Sequence, residues 1–181
     1  MSKLWGGRFE SGPSETFQQF SWSLHFDKRL FEVDVEGSRA YAAALKRVGI
    51  LNTDEAARMD AALAAIAPPP EGAPDEDIHT YVIRMLKENA GELADKLHTG
   101  RSRNEQVSLD TRLWLRGEID HTAALLRKLM GSMIAFAEPH TATVVAGYTH
   151  TRRAQPVTWG HYLMAYFEMF SRDHERLMQA R

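Results

Sequence analysis

The 181-residue chain is long enough for one ordinary domain, or for one small domain with part of another. Hydrophobic residues make up 44% and charged residues 25%, which is the balance of a globular protein rather than of a disordered tail. A formal net charge of −2 gives no electrostatic reason to expect a nucleic-acid partner, and the absence of cysteine excludes a disulfide or a thiolate metal site. We find no signal core and no run of about 20 apolar residues, so we expect a cytoplasmic protein without a membrane partner.

The first fifty residues predict an irregular arm followed by a helix. Residues 1–20 show little hydrophobic periodicity and contain several glycines and a proline. From Asp34 to about Val48 the sequence is rich in alanine, which favours a helix, and Gly49 is placed to end it.

Two further helices are expected on either side of a proline-rich loop. Thr53 is a suitable N-cap for a helix from Asp54 to Ala67, and the three prolines of residues 68–70 must stop that helix. The next helix ends at Gly91. Its predicted buried positions are Ile78, Val82 and Met85.

The most regular stretch runs from Glu105 to Ala137 and predicts one long helix that ends before Pro139. Apolar residues recur at alternating spacings of four and three, which is typical of a helix packed lengthwise in a bundle. These positions are Leu115, Ile119, Thr122, Leu126, Leu129, Met133 and Phe136. At 1.5 Å per residue such a helix would be ~50 Å long.

A last helix is predicted after Pro156, and no convincing strand pattern is found. Its predicted buried positions are Trp159, Leu163, Tyr166, Phe170 and Leu177. Two long helices are too few to close a bundle core, since four is the usual minimum, so we expect the core to be completed elsewhere. We therefore predict an all-α fold, with a small helical N-terminal domain over residues 1–104 and an incomplete, truncated central helical bundle over residues 105–181.

Two polar segments lie at the ends of the long helix. In the first, residues 97–107, Gly100 allows a sharp turn and is followed by two arginines, a serine and an asparagine. A guanidinium binds a carboxylate through paired hydrogen bonds, and the start of the long helix favours an anion. The alternative is a solvated basic loop with an ordinary helix cap.

The second polar segment, residues 147–156, is expected to be a loop and places Thr149 beside His150. A histidine titrates near neutral pH, so it can donate or accept a proton there. Asp77 and His79 form a third candidate at the start of a helix. The alternatives are that His150 only packs or caps, and that Asp77 only forms an acidic N-terminal turn with Glu76.

Nothing in the linear sequence predicts a metal or nucleotide site. The eight histidines include no His-Glu-x-x-His pattern and no tight cluster with ligand spacing. No glycine-rich phosphate loop is present either. We therefore expect no zinc site and no bound nucleotide.

Taken together, the motifs resemble the N-terminal portion of the argininosuccinate lyase family, within the fumarase and aspartase superfamily. They occur in the order Trp5-Gly6-Gly7-Arg8-Phe9, Asp77-Ile78-His79-Thr80, His98-Thr99-Gly100-Arg101-Ser102-Arg103-Asn104, Gly147-Tyr148-Thr149-His150 and Arg153-Ala154-Gln155-Pro156. The resemblance covers essentially the whole chain, and the Gly-Arg-Ser-Arg-Asn segment is specific to this family.

The resemblance implies a cofactor-independent β-elimination that converts argininosuccinate to arginine and fumarate, the last step of arginine biosynthesis. It implies a homotetramer in which three subunits contribute to each active site. The family's substrate-binding positions match Ser23, Thr99, Ser102, Arg103 and Asn104. Its acid–base pair matches Thr149 and His150, and Asp77 and His79 match the pair that supports the site.

Three departures from the family pattern are visible. Thr151 and Arg152 stand where Leu-Gln is usual, and Glu105 stands where aspartate is common. Family members are longer and carry their catalytic serine in a later Gly-Ser-Ser loop, whereas this sequence has no Ser-Ser pair. We therefore expect negligible lyase activity from this chain alone.

Two alternatives to a lyase that acts on argininosuccinate stay open. The chain could be a truncated paralogue that serves as a non-catalytic helical oligomerisation module. It could also derive from a lyase of the same superfamily with another substrate, such as adenylosuccinate, although the Gly-Arg-Ser-Arg-Asn segment argues against this.

Overall fold

The computed structural model describes residues 14–181 together with Gly12, so the Trp5–Phe9 motif lies outside the described residues. Two compact units are present, of which the first ends at Leu113 and the second comprises Trp114–Arg181. The boundary expected after Asn104 stays a prediction.

The described residues are mainly helical, as predicted. The α-helices are α1 (Glu15–Ser21), α2 (Leu24–Asp27), α3 (Phe31–Arg47), α4 (Thr53–Ala64), α5 (Ile78–Ala90), α6 (Arg103–Ala137) and α7 (Trp159–Ala180). Three 3₁₀ segments, Lys28–Leu30, Gly91–His98 and Glu138–His140, connect them.

Helix α1 corrects the expectation of an irregular arm over residues 1–20, because a regular helix begins at Glu15. The Ser14 hydroxyl accepts a hydrogen bond from the backbone N–H of Phe17 at 3.3 Å. Such an N-cap satisfies a helix donor that would otherwise have no partner, and Glu15 adds favourable charge in the first turn. These local signals outweigh the weak hydrophobic periodicity.

The helices of the first unit form close to where the sequence predicts them. Helix α3 begins at Phe31, a few residues earlier than expected, and Gly49 follows it with a positive φ of 80°. The N-cap of α4 is Asn52 rather than Thr53, because Asn52 and Glu55 form a reciprocal capping box. Helix α5 ends as predicted at Gly91.

The core of the first unit is aliphatic and contains a small polar cluster. Its most buried large side chains are Leu51, Met59, Leu63, Ile78, Val82 and Leu86. Met85, which was expected in the core, is only half-buried. Asp34, His79 and Asp110 are buried as well, at 0%, 2% and 0% exposure. Burying charged groups is costly unless they are paired, so the contacts within this cluster affect the stability of the unit.

A two-stranded antiparallel sheet in the second unit shows that the expectation of no strands is wrong. Strand β1 (Val144–Thr149) pairs with β2 (Arg152–Thr158) between the end of α6 and the start of α7. The predicted loop over residues 147–156 is therefore mostly strand. The sequence analysis placed Pro156 at the end of a loop. Both strands of a two-stranded sheet are edge strands, however, and proline is allowed in an edge strand.

The hairpin is closed by His150 and Thr151, which have φ values of 50° and 63°. A two-residue connection with positive φ at both positions is the pattern of a type I′ turn, which suits the twist of the flanking strands. At Gly147, where the pairing register shifts, a Cβ atom would lie 2.9 Å from the Gln155 carbonyl oxygen. Glycine is thus required for the strands to approach.

We expect Thr151→Gly to stabilise the chain by about 1 kcal/mol, because a β-branched residue at positive φ is strained by about 1–3 kcal/mol. Urea unfolding monitored by circular dichroism measures the change. Ala154→Gly in β2 is the matched control, and it should destabilise, since glycine weakens a strand. Equal destabilisation by both variants would contradict a strained turn.

The apolar stripes predicted on α6 and α7 are largely exposed within this chain. Ile119 is buried at 5%, but Leu115, Leu129 and Phe136 are exposed at 46%, 45% and 53%. On α7 the predicted core residues are half-buried or exposed, and Gly160 is the buried residue of that helix. The prediction of a buried stripe is therefore wrong for the chain as it stands. Among the described residues, no helix is both long and apolar enough to cross a bilayer.

Candidate functional site

Asp77 joins the start of α5 to the start of α6. Its backbone is extended, and its side chain caps α5 by accepting a hydrogen bond from the N–H of Thr80 at 2.6 Å. The Nη1 atom of Arg103 lies 2.8 Å from both carboxylate oxygens of Asp77. Asp77 thus caps α5 and also orients a predicted substrate-binding arginine.

Ser23 approaches the start of the same helix through Asp27. The Ser23 hydroxyl donates to one oxygen of Asp27 at 2.5 Å, and the other oxygen accepts from the N–H of Ile78 at 3.1 Å. The backbone N–H of Ser23 donates to the Glu76 carbonyl at 2.8 Å. Burial raises the pKa of Asp27 above its usual range, although the hydrogen bond from Ser23 opposes this.

The structure therefore brings Ser23, Asp77 and Arg103 to one end of α5, although the first and last of them are eighty residues apart in sequence. The guanidinium of Arg103 has more N–H donors than its contacts with Asp77 and Thr80 use. This part of the surface can present a cation and a hydroxyl to a carboxylate ligand.

Ser102 caps α6, and its substrate-binding role stays a prediction. Its hydroxyl accepts from the N–H of Asn104 at 3.3 Å, and Glu105 accepts from the N–H of Ser102 at 3.2 Å. Thr99, Ser102 and Asn104 are all exposed, so their side chains are accessible to a ligand. A cap and a ligand contact are compatible, because a hydroxyl can accept one hydrogen bond and donate another.

The turn before α6 rests on two side chains of α3. Tyr41 donates its hydroxyl to the carbonyl oxygen of Thr99 at 2.9 Å. Arg101 donates to the Ser38 hydroxyl at 3.0 Å, and its guanidinium carbon lies 5.2 Å from the centre of the Tyr41 ring. Backbone, hydroxyl and cation–π contacts thus hold this turn in place.

His79 lies in the buried polar cluster, between Asp34 and Asp110. Its Nδ1 atom is 3.3 Å from an oxygen of Asp34 and 3.4 Å from an oxygen of Asp110. The side-chain amide of Gln106 donates to the same Asp34 oxygen at 2.5 Å. Asp34 therefore binds a group from α5 and another from α6.

The two carboxyl groups of the cluster have opposite pKa shifts. Burial and the neighbouring charge of Asp34 raise the pKa of Asp110 to about 7. Burial alone would raise the pKa of Asp34, but hydrogen bonds from His79 and Gln106 outweigh it and hold that pKa below its ordinary value. The pair therefore carries one proton, on Asp110, below neutral pH, because two adjacent buried carboxylates repel each other.

The same three residues have a spacing that suits metal ligands, which no linear motif predicted. One ligand atom from each of Asp34, His79 and Asp110 lies within 4.8 Å of the others. Within the cluster His79 and Gln106 hydrogen-bond to Asp34, and His79 also lies 3.4 Å from Asp110.

Sequence reasoning missed most of the residues that support the site. Asp34, Ser38 and Tyr41 recur at spacings of four and three on α3, and Gln106 and Asp110 are four apart on α6. Polar residues at helical spacing within otherwise apolar faces were the available signal. These polar positions were not predicted, because the alanine-rich composition of α3 indicated only a helix.

Thr149 and His150 belong to the second unit, at the end of the hairpin. Both are exposed, and Thr149 pairs with Arg152 across the strands. The left-handed conformation of His150 points to a defined turn rather than an irregular loop. Their assignment as an acid–base pair stays a prediction.

Known proteins share this sequence and fold. A family model described as lyase matches residues 7–181. The chain belongs to this lyase family. It is 56% identical to an argininosuccinate lyase of Solibacter usitatus, over 99% of this chain and 40% of that protein. An argininosuccinate lyase of Desulforudis audaxviator is 47% identical, over 100% of this chain and 41% of its own length.

The resemblance to the N-terminal portion of argininosuccinate lyase is thereby confirmed, and the chain spans about 40% of the length of these relatives. Among solved structures, an EDDS lyase variant with bound fumarate matches with a TM-score of 0.75 and 31% identity, over 90% of this chain and 32% of that one. The predicted mainly helical lyase fold is confirmed as well.

Proposed function

We propose that this chain supplies the substrate-binding region and an acid–base region of an argininosuccinate lyase, which cleaves argininosuccinate to arginine and fumarate without a cofactor. The observation that carries the proposal is the meeting of Ser23, Asp77 and Arg103 at the end of α5. These positions come from separate segments of the sequence, and a structural role for any one of them would not require the others.

The proposed chemistry needs cations and N–H groups around the carboxylates of the substrate. A β-elimination removes a proton from the carbon beside a carboxylate, so negative charge grows on that group in the transition state. Arg103 offers its guanidinium, and it lies in the first turn of α6, where a helix favours an anion. Thr99, Ser102 and Asn104 add neutral hydrogen-bonding groups beside it.

In this proposal Asp77 and His79 are supporting residues. Asp77 fixes the guanidinium of Arg103 through one nitrogen and leaves its other donors for the ligand. His79 is buried, so it acts on the site through its neighbours and does not touch the ligand.

The hairpin supplies the proposed acid–base pair, Thr149 and His150. Exposure of both side chains is consistent with a role completed by further protein, and Arg152 adds positive charge beside the pair. The exposed apolar residues of α6 and α7 support association with further subunits, and we propose that the active protein is a cytoplasmic homotetramer. The chain alone is then expected to show negligible turnover.

Binding of fumarate tests the substrate-binding region directly. We expect fumarate to shift the amide NMR signals of residues 99–104, and Arg103→Ala to weaken this binding at least tenfold, because a carboxylate–guanidinium contact is lost. Titration of the ¹⁵N-labelled chain gives the dissociation constants. Arg58→Ala is the matched control, since Arg58 is exposed on α4.

Fumarate shifts that are absent, or that Arg58→Ala and Arg103→Ala weaken equally, would refute the proposal. The exposed apolar faces favour a second candidate function, a helical oligomerisation module. A stable tetramer in light scattering that does not bind fumarate would support that alternative.

A further inference from the structure

The polar face of α3 links the buried cluster to the turn that precedes α6. Asp34, Ser38 and Tyr41 lie at successive helical turns on one face. Asp34 forms hydrogen bonds with His79 and Gln106, Ser38 with Arg101, and Tyr41 with the carbonyl of Thr99. One rigid helix therefore touches both ends of the segment from Thr99 to Gln106, which contains the proposed ligand-binding residues.

We propose that Asp34, Ser38 and Tyr41 are positioning residues for residues 99–106, and that the buried cluster of Asp34, His79 and Asp110 helps to set the geometry of this segment. The inference rests on the proposed function for the importance of the segment, but not for the contacts themselves. Asp110 lies one turn beyond Gln106 on α6, and Gln106 binds Asp34, so a change at either carboxyl acts on the first turn of that helix.

The contacts explain why protonation would be transmitted. Three groups face Asp110 from the surrounding elements: Asp34 on α3, His79 on α5 and the cation of Arg101 in the turn. Loss of the proton on Asp110 places two anions side by side in the core, which strengthens the attraction of both for the cation of Arg101. Arg101 also donates a hydrogen bond to Ser38, so a displacement of the Arg101 side chain would displace the turn.

Packing leaves little room for the cluster to relax in another way. A Cβ atom on Gly37 of α3 would lie 3.4 Å from an Asp110 oxygen and 3.4 Å from Leu109. Asp34 Oδ2 and both carboxylate oxygens of Asp110 are buried and have no hydrogen-bond partner. Charge placed on them is therefore not relieved by solvent, and neighbouring groups must respond.

The first test is a pH titration of amide NMR signals in the full 181-residue chain, without ligand. His98 is exposed beside the turn, so all variants carry His98→Gln to remove its imidazole. We expect the amides of Thr99, Arg101 and Ser102 to shift with one common midpoint near pH 7, and Asp110→Asn to abolish this transition. Asp54→Asn, at an exposed carboxylate, is the control and should leave it unchanged.

The second test is hydrogen exchange in the double variant Ser38→Ala, Tyr41→Phe. The amides of Thr99 and Arg101 bond to Lys96 and His98 carbonyls within the turn. We expect them to exchange at least tenfold faster when the turn loses its contacts with α3. The amides of the core residues Met59 and Leu63 are the internal reference, and Tyr148→Phe is the control for the lost hydroxyl.

Turn amides that do not titrate, or that titrate equally in Asp110→Asn, would overturn the role of the buried cluster. Unchanged exchange of the turn in the double variant would overturn the role of α3. Neither test uses fumarate, so a chain that fails to bind fumarate would refute the proposed function and leave this inference standing.

Discussion

Replacing Asp110 by asparagine should remove much of the pH dependence of stability between pH 5 and pH 8. In the folded chain the pKa of Asp110 is raised to about 7 from an ordinary value of 3.8. Between these values the folded chain keeps a proton that the unfolded chain has lost, so stability falls as pH rises, by up to about 1.4 kcal/mol per pH unit. Above the folded pKa the loss is complete.

The sign is opposite for Asp34, whose folded pKa is lowered. Its contribution is present above pH 3.8 and is lost as pH falls through its folded pKa, outside the window considered. Asparagine at position 110 cannot ionise, yet its amide N–H can replace the shared proton as a donor to Asp34. The variant should therefore be more stable than the natural chain at pH 8.

Urea unfolding at a series of pH values measures this difference, and Asp54→Asn controls for the loss of one negative charge. Contributions from groups remote from Asp110 are common to both chains and cancel to first order in the comparison. Parallel curves for the natural chain and Asp110→Asn from pH 5 to pH 8 would mean that Asp110 is ionised throughout.

His150→Asn should lower lyase turnover by about 10²–10⁴-fold, the usual contribution of one general acid–base group. The measurement combines this chain with the part of the Solibacter usitatus relative that lies outside the 40% matched, and follows fumarate absorbance. Asparagine is the suitable replacement because position 150 has a φ of 50°, and asparagine tolerates that conformation. The loss then reports the imidazole rather than a damaged turn.

His121→Asn, at an exposed position on α6, is the matched control and should retain full turnover. Equal turnover in His150→Asn and the control would remove His150 from the proposed acid–base pair. The chain by itself should produce no fumarate; sustained turnover that His150→Asn abolishes would contradict its expected inactivity.

The helices of the first unit could be read from the sequence because their signals are local. Capping residues, the prolines of residues 68–70 and the glycines at 49 and 91 act within one or two turns of their helix. The same reasoning misplaced the N-cap of α4 by one residue, since Asn52 and Thr53 are both good caps and only the reciprocal bond with Glu55 distinguishes them.

The hairpin and the exposure of the apolar stripes could not be predicted from such local signals. Strands β1 and β2 are paired with each other across a turn in which His150 and Thr151, rather than glycine, have positive φ, so the usual turn signal is missing. The stripe on α6 was correctly recognised as apolar, but periodicity does not say whether its partner lies within the same chain.

The candidate site was only partly predictable. Asp77 and Arg103 were selected from motifs, and the structure joins them by two hydrogen bonds. The residues that support them could not be predicted, because Asp34 and Asp110 lie in separate helices and come together only when those helices pack. A local motif can identify a group that carries chemistry, whereas the side chains that hold it are set by the tertiary structure.

The buried cluster also restricts how the helices of the first unit can dock. A shift of α6 by one turn would move Asp110 by about 5.4 Å, out of reach of His79, and would separate Gln106 from Asp34. Buried carboxyls would then lack partners at a cost of about 3–5 kcal/mol. Aliphatic contacts alone tolerate such a slip, so the polar cluster selects a single register for the helix that carries Arg103.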